Sequence, residues 1–299
     1  MIPQRPPKNN IFLAFLLTIS PNKYKIVWGD ILNKKPFIKC LTASAVLAAA
    51  IRTVQLTVFT DNATGFYTDS FHILGTVCSY VIIAIIAACL VFAIVTRQKA
   101  VVSPSPTVST VLSELLLGLS LAGEPFWAAQ LPGSIPAAFT VTRFALMVVS
   151  GLIFIYFGIS HLIGKPTVKQ LHYIIIVMWI MRVLVTFMCY TGMSNIPSNL
   201  YDVAMLCFAL LFFNYNAKLD SGVATVKDRS RALICGIPAF LTALVCSVPK
   251  ILQILIFGAN SIHRNIDSPI SSLCLAFYVL VCLLSRESRS TRKIKEFNE

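Results

Sequence analysis

A chain of 299 residues that is 57% hydrophobic and only 12% charged is too apolar for a soluble globular domain. Its net charge of +13 would suit nucleic acid, but the Lys and Arg residues alternate between loops, and a nucleic-acid partner is set aside. Apolar runs of about 20 residues point instead to an all-α, polytopic transmembrane helix bundle in the lipid bilayer.

Residues 1–39 form a separate, interfacial N-terminal segment. Ile11 to Ser20 is an apolar run stopped by Pro21 and followed by Lys23, Lys25, Lys34 and Lys35. A signal peptide shares the short apolar core, yet no small-x-small cleavage site follows. The segment is expected to be amphipathic and to lie on the inner leaflet, with Trp28 at headgroup depth.

Residues 40–285 are expected to cross the membrane eight times. The spans are Cys40 to Thr60, Phe71 to Thr96, Val108 to Ala128, Ala138 to Ile163, Leu171 to Thr191, Leu200 to Asn216, Ala232 to Val248 and Pro269 to Ser285. Short connections leave no room for a soluble domain of ordinary size. Pro136, Pro197 and Pro269 are read as helix starts, where a missing N–H removes no bond. The seventh span is ambiguous. Pro249-Lys250 is followed by apolar Ile251 to Phe257, so the helix either kinks at Pro249 and continues or yields to a short surface helix. Asn62-Ala63-Thr64 is a glycosylation triplet that arises often by chance and carries no weight. The tail, residues 286–299, is basic and Ser-rich, and is expected to be disordered and attracted to anionic lipid.

Twenty of the 25 Lys and Arg residues fall in 1–39, 97–99, 165–169, 218–231 and 286–295. Only Lys250 and Arg264 fall in the alternate loops, and Arg52, Arg143 and Arg182 lie inside spans. That bias predicts both termini in the cytoplasm of a plasma-membrane protein.

Charges inside spans cost about 2.5–3.5 kcal/mol each and usually face the bundle interior. The candidate polar site is therefore Arg52, Glu114, Glu124, Arg143, Arg182 and Asp202, with Trp179. At about 1.5 Å per residue, Arg52 and Arg182 fall near mid-bilayer, Arg143, Glu124 and Asp202 in the outer third, and Glu114 in the inner third. Ala45, Ala48 and Ala49 share the face of Arg52 and let another helix approach; Gln55 adds a polar partner. Trp179 lies one turn from Arg182, within stacking reach. Gly118 lies one turn from Glu114 on a packing face. Arg143 is near enough to the interface to snorkel, and Glu124 and Asp202 are near enough to be solvated. Such charges also pair simply to hold helices in register.

No catalytic residue, cofactor or metal site is expected. All nine cysteines lie in apolar spans without CxxC or His spacing and read as small apolar residues. Adjacent Ser160-His161 do not face each other on a helix, and His172, His72 and His263 carry no motif.

Trp179-Ile180-Met181-Arg182, Ile196-Pro197-Ser198-Asn199-Leu200-Tyr201-Asp202 and Phe212-Phe213-Asn214-Tyr215-Asn216-Ala217-Lys218 together resemble uncharacterised multi-pass membrane proteins of Gram-positive anaerobes. The resemblance covers the second half of the chain and implies no activity. The residues point to binding or translocation of a small polar or anionic solute through an Arg-containing outer half. The alternative is a structural or sensory subunit engaging a cytoplasmic protein partner that the sequence leaves unidentified.

Overall fold

The computed structural model describes residues 36–61, 66–95, 107–127, 135–190, 197–257 and 267–296. The chain divides into two units, Met1–Ile38 and Lys39–Glu299. Of the first, only the opening residues of a helix are described, so the expected interfacial segment and Trp28 lie outside the described residues. Asn62, Ala63 and Thr64 lie outside them too.

The described residues of the second unit are almost entirely helical. Helix α1, Pro36–Val54, runs into a π-helical turn at Gln55–Phe59. An antiparallel bridge between Thr60 and Tyr67 and a 3-10 turn at Asp69–Phe71 lead into α2, His72–Val95. Then come α3 (Val108–Trp127), α4 (Ala137–Ile163), α5 (Leu171–Tyr190), α6 (Pro197–Ser221), α7 (Val226–Phe257) and α8 (Pro269–Glu296). Pro197 and Pro269 open their helices, and Pro136 caps α4.

Six of these helices are long and apolar enough to cross a membrane: α1 with its π-turn, α2, α4, α5, α6 and α7. The other two fall short for different reasons. The apolar part of α8, Pro269–Ser285, has 17 residues and so reaches only about 26 Å. Helix α3 carries Glu114 and Glu124 together with hydroxyl residues and Pro125. Its acids are buried, so its polarity is spent inside the protein.

Two local expectations are settled. Helix α7 runs 32 residues through both Pro238 and Pro249, so Ile251 to Phe257 continues the seventh helix. The expected disordered tail is corrected: α8 stays helical to Glu296. At the start of α7, the Thr225 hydroxyl and the Asp228 carboxylate cap each other's backbone N–H. The Thr225 backbone and hydroxyl bonds hold the Asp228 carboxyl below the usual carboxylate range.

The helices pack in a closed circuit. Helix α3 packs on α4, α4 on α5, α5 on α6, α6 on α7, α7 on α8, and α8 returns to α3. The α1–α2 hairpin lies outside this ring, with α2 against α7. The apolar stretch of α7 is 72% buried and that of α2 only 17%, which sets α7 at the centre and α2 at the rim. Ile73, Leu74, Val77, Tyr80 and Val91 are exposed on α2, an apolar face suited to lipid.

The tightest crossing joins α3 to α4. A Cβ on Gly118 would sit 2.7 Å from the Gly151 carbonyl oxygen, and one on Gly151 would sit 2.7 Å from the Ala122 backbone nitrogen. Small residues here bring two backbones together, the usual basis of helix association in lipid. This contact sets the height of the ionisable residues that α3 and α4 carry.

Candidate functional site

The sequence-derived polar residues do not form one site. They divide among four groups, the last of which joins Glu114 to histidines the sequence left aside.

The first group is a four-charge cluster inside the ring. Arg182 Nη2 donates to Glu124 Oε1 at 3.1 Å and to Asp267 Oδ1 at 2.8 Å. Arg143 Nη2 donates to Asp267 Oδ1 at 2.6 Å and lies 3.9 Å from Glu124. The Ser268 backbone N–H also donates to Glu124, at 3.1 Å. The expected stacking is present, with the Arg182 guanidinium 5.0 Å from the centre of the Trp179 ring. Helices α3, α4 and α5 and the residue pair leading into α8 all meet here. Two guanidiniums face two carboxylates, so the cluster is neutral when all four groups are charged. Arg143 does not snorkel and Glu124 is not solvated: each is 1% exposed. Both expectations placed them by distance from the helix end; the missing partner was Asp267, assigned to a loop.

The second group joins α5, α6 and α7. Lys250 Nζ donates to both carboxylate oxygens of Asp202, at 2.8 and 2.9 Å, and the Tyr190 hydroxyl donates to Oδ2 at 3.2 Å. Asp202 is therefore buried and paired, and Lys250 is a residue of α7, not an outer loop.

The third group lies between the α1–α2 hairpin and the ring. Arg52 is 2% exposed, on the same face as buried Ala45, Ala48 and Ala49. Its Nη1 donates to Gln55 Oε1, and its guanidinium lies 4.7 Å from the centre of the Tyr201 ring on α6. Gln55 Nε2 donates to the Gly75 carbonyl at 2.6 Å and to Ser79 Oγ at 2.8 Å, beside the Tyr67 hydroxyl. The Tyr67 hydroxyl and Ser79 Oγ share a 2.8 Å bond, and the Tyr201 hydroxyl donates to the Ser79 carbonyl at 3.3 Å. The three-residue helical spacing places Gln55 beside Arg52, and the π-turn begins at Gln55; π-turns recur at functional sites. Cys246 links this group to the second: its thiol bonds Asp202 and lies within electrostatic reach of Arg52.

The three groups differ in charge balance. Arg143, Arg182 and Lys250 each meet a carboxylate within 3 Å. Arg52 is the exception among the buried cations of the described residues: no carboxylate pairs with it, and the nearby Asp202 is committed to Lys250.

The fourth group lies at the other end of the ring. His161 Nδ1 and Glu114 Oε2 are 2.8 Å apart, and His172 Nε2 and Asp220 Oδ2 are 3.1 Å apart. Asn216 Nδ2 donates to Asp220 at 2.9 Å and to the Tyr278 hydroxyl at 3.5 Å. Between this layer and the four-charge cluster lies an aromatic layer. Trp179 stacks on Phe213 at 5.2 Å, Phe213 on Tyr278 at 5.6 Å, and Phe154 packs edge-on against both Phe213 and Tyr278.

All nine cysteines are free thiols. Among the described residues no group of His, Cys, Asp or Glu is disposed to hold a metal ion. The fold and its apolar exterior define a helical membrane protein with several crossing helices. Comparison with family models, with curated proteins and with solved structures gives no match.

Proposed function

We propose that this is an eight-span plasma-membrane protein, with both termini in the cytoplasm, that binds and translocates a small anionic or polar solute. The solute site is the Arg52 group, between the α1–α2 hairpin and the ring. The observation that carries this reading is that buried Arg52 has no counter-charge among the described residues. An ion left alone in a protein interior costs several kcal/mol. Three other buried cations are offset by carboxylates of the chain itself, and an anionic ligand offsets the fourth. Arg52 with the Tyr67 and Ser79 hydroxyls supplies donors for such a ligand. The remaining charges keep the ring in register, and no residue is assigned to catalysis.

A structural or sensory subunit is the second reading, favoured by the neutral four-charge cluster, which resembles a clasp. The two separate in a thermal-shift experiment on the purified full chain, probed with chloride, phosphate, acetate, succinate and glutamate. On the transport reading, at least one anion raises Tm, with a stabilisation of about 2.7 kcal/mol at 100 times its Kd. Arg52→Gln then abolishes the response and leaves the ligand-free protein at least as stable as wild type. No response in wild type, or an undiminished response in Arg52→Gln, defeats this reading. Stabilisation by phosphatidylglycerol alone would make the occupant a lipid headgroup.

A further inference from the structure

The Glu114 layer has a composition that helix packing does not require. Amide or aliphatic side chains would join the same helices with less desolvation. Two His–carboxylate pairs instead place ionisable groups inside the bundle, where acid–His chains typically relay protons. Exposure is graded in both pairs. The His161 side chain is 25% exposed and Glu114 6%; Asp220 is 33% exposed and His172 12%. Each pair thus has one member nearer the protein surface and one turned into the ring.

We propose that this layer is a proton-binding site, with Glu114 as acceptor and His161 as its entry from solvent, linked through α6 to the anion site at Arg52. The linkage rests on the transport reading; the proton site does not. The step balances without a co-reactant. A solvent proton forms an N–H bond at His161 Nε2, the Nδ1–H bond breaks, and that proton forms an O–H bond at Glu114 Oε2. His161 stays neutral in its other tautomer, and Glu114 passes from anion to neutral acid.

The surrounding groups fit this role. His161 comes from α4, and His172 from α5, stacked on Phe157 at 4.6 Å. Asp220 and Asn216 come from α6, and Tyr278 from α8. The charges of Asp220 and His172 both reach Glu114. Lys169 is committed to the Ser221 carbonyl at 3.1 Å, and on α7 Arg231 and Asp228 pair with each other at 3.7 Å. Helix α6 carries Tyr201 and Asp202 near one end and Asn216 and Asp220 near the other, about 27 Å apart at helical rise. Loss of charge at Glu114 alters the field on Asp220, and a shift of α6 carries that change to the ring that packs on Arg52.

Infrared pH-difference spectra of the purified full chain test the proton site. As pH falls from about 8 to about 5, the range in which His-linked groups titrate, the expected signal is the carbonyl band of a buried carboxylic acid, lost in Glu114→Gln. His161→Gln retains a hydrogen bond to Glu114 and folds conservatively; it is expected to keep the band and shift its midpoint. No band in wild type, or a band unchanged in both variants, overturns the proposal. The linkage is tested by the affinity for the responding anion at the two ends of that range. It is expected to change severalfold in wild type and to be flat in Glu114→Gln. A flat wild-type profile overturns the linkage. If no anion binds at either pH, the transport reading fails and the linkage with it, while the spectra still decide the proton site.

Discussion

Arg182 reaches two carboxylates from different parts of the chain, Glu124 on α3 and Asp267 ahead of α8. Removing its charge leaves Glu124 with the longer 3.9 Å contact to Arg143 and the Ser268 N–H. Breaking a buried pair from one side typically costs about 3–5 kcal/mol. Arg182→Gln is therefore expected to lower Tm sharply, and adding Glu124→Gln to recover much of the loss, since glutamine can still accept from Ser268. Melting curves of the two single variants and the double variant give the coupling. Additive losses would show that the two residues act independently. The burial of Arg52 was legible in the sequence, because an alanine face is visible there. The partners of Arg182 were only half legible. Asp267 looks like a loop residue in one dimension, outside every apolar span, and nothing local marks it as the partner of an arginine.

Helices α3 and α4 carry two polar pairs on one contact, Glu114 with His161 and Glu124 with Arg143, on either side of the Gly118–Gly151 crossing. The height of both pairs depends on the backbones staying in touch. A methyl group on Gly151 meets backbone atoms that cannot turn aside, unlike the end of a flexible side chain. Gly151→Ala is expected to cost about 1–3 kcal/mol, as overpacking does, and to move both pairs. The check is a lower Tm together with a shifted Glu114 carbonyl band. The order and approximate extent of the helices were legible, because apolar length and proline starts are local signals. The continuity of α7 was not. Pro249 reads as a break, and only packing against α2, α6 and α8 keeps the helix running through it. Pairing His161 and His172 with acids on α3 and α6 depends on how neighbouring helices cross, which no local pattern encodes.

For the whole molecule, the proposed topology rests on the charge bias, by which the loops around Arg97, Lys165 and Lys227 are expected in the cytoplasm. The burial of Lys250 strengthens it, since that residue no longer counts as an outer-loop cation. In a Cys-free background, single cysteines at Lys165 and Lys227 are expected to react with a membrane-impermeant maleimide only after the cells are opened. Labelling of either position in intact cells would reverse the orientation and place the Glu114 layer on the outer side.

The position of Asp267 has a consequence for how the protein is made. Ribosomal synthesis delivers Glu124, Arg143 and Arg182 to the bilayer well before Asp267, so a half-made chain holds two guanidiniums against one carboxylate. The surplus disappears only when the last helix arrives and closes the circuit. The ring is thus completed by α8, and a nascent chain that stops short of it carries an uncompensated arginine.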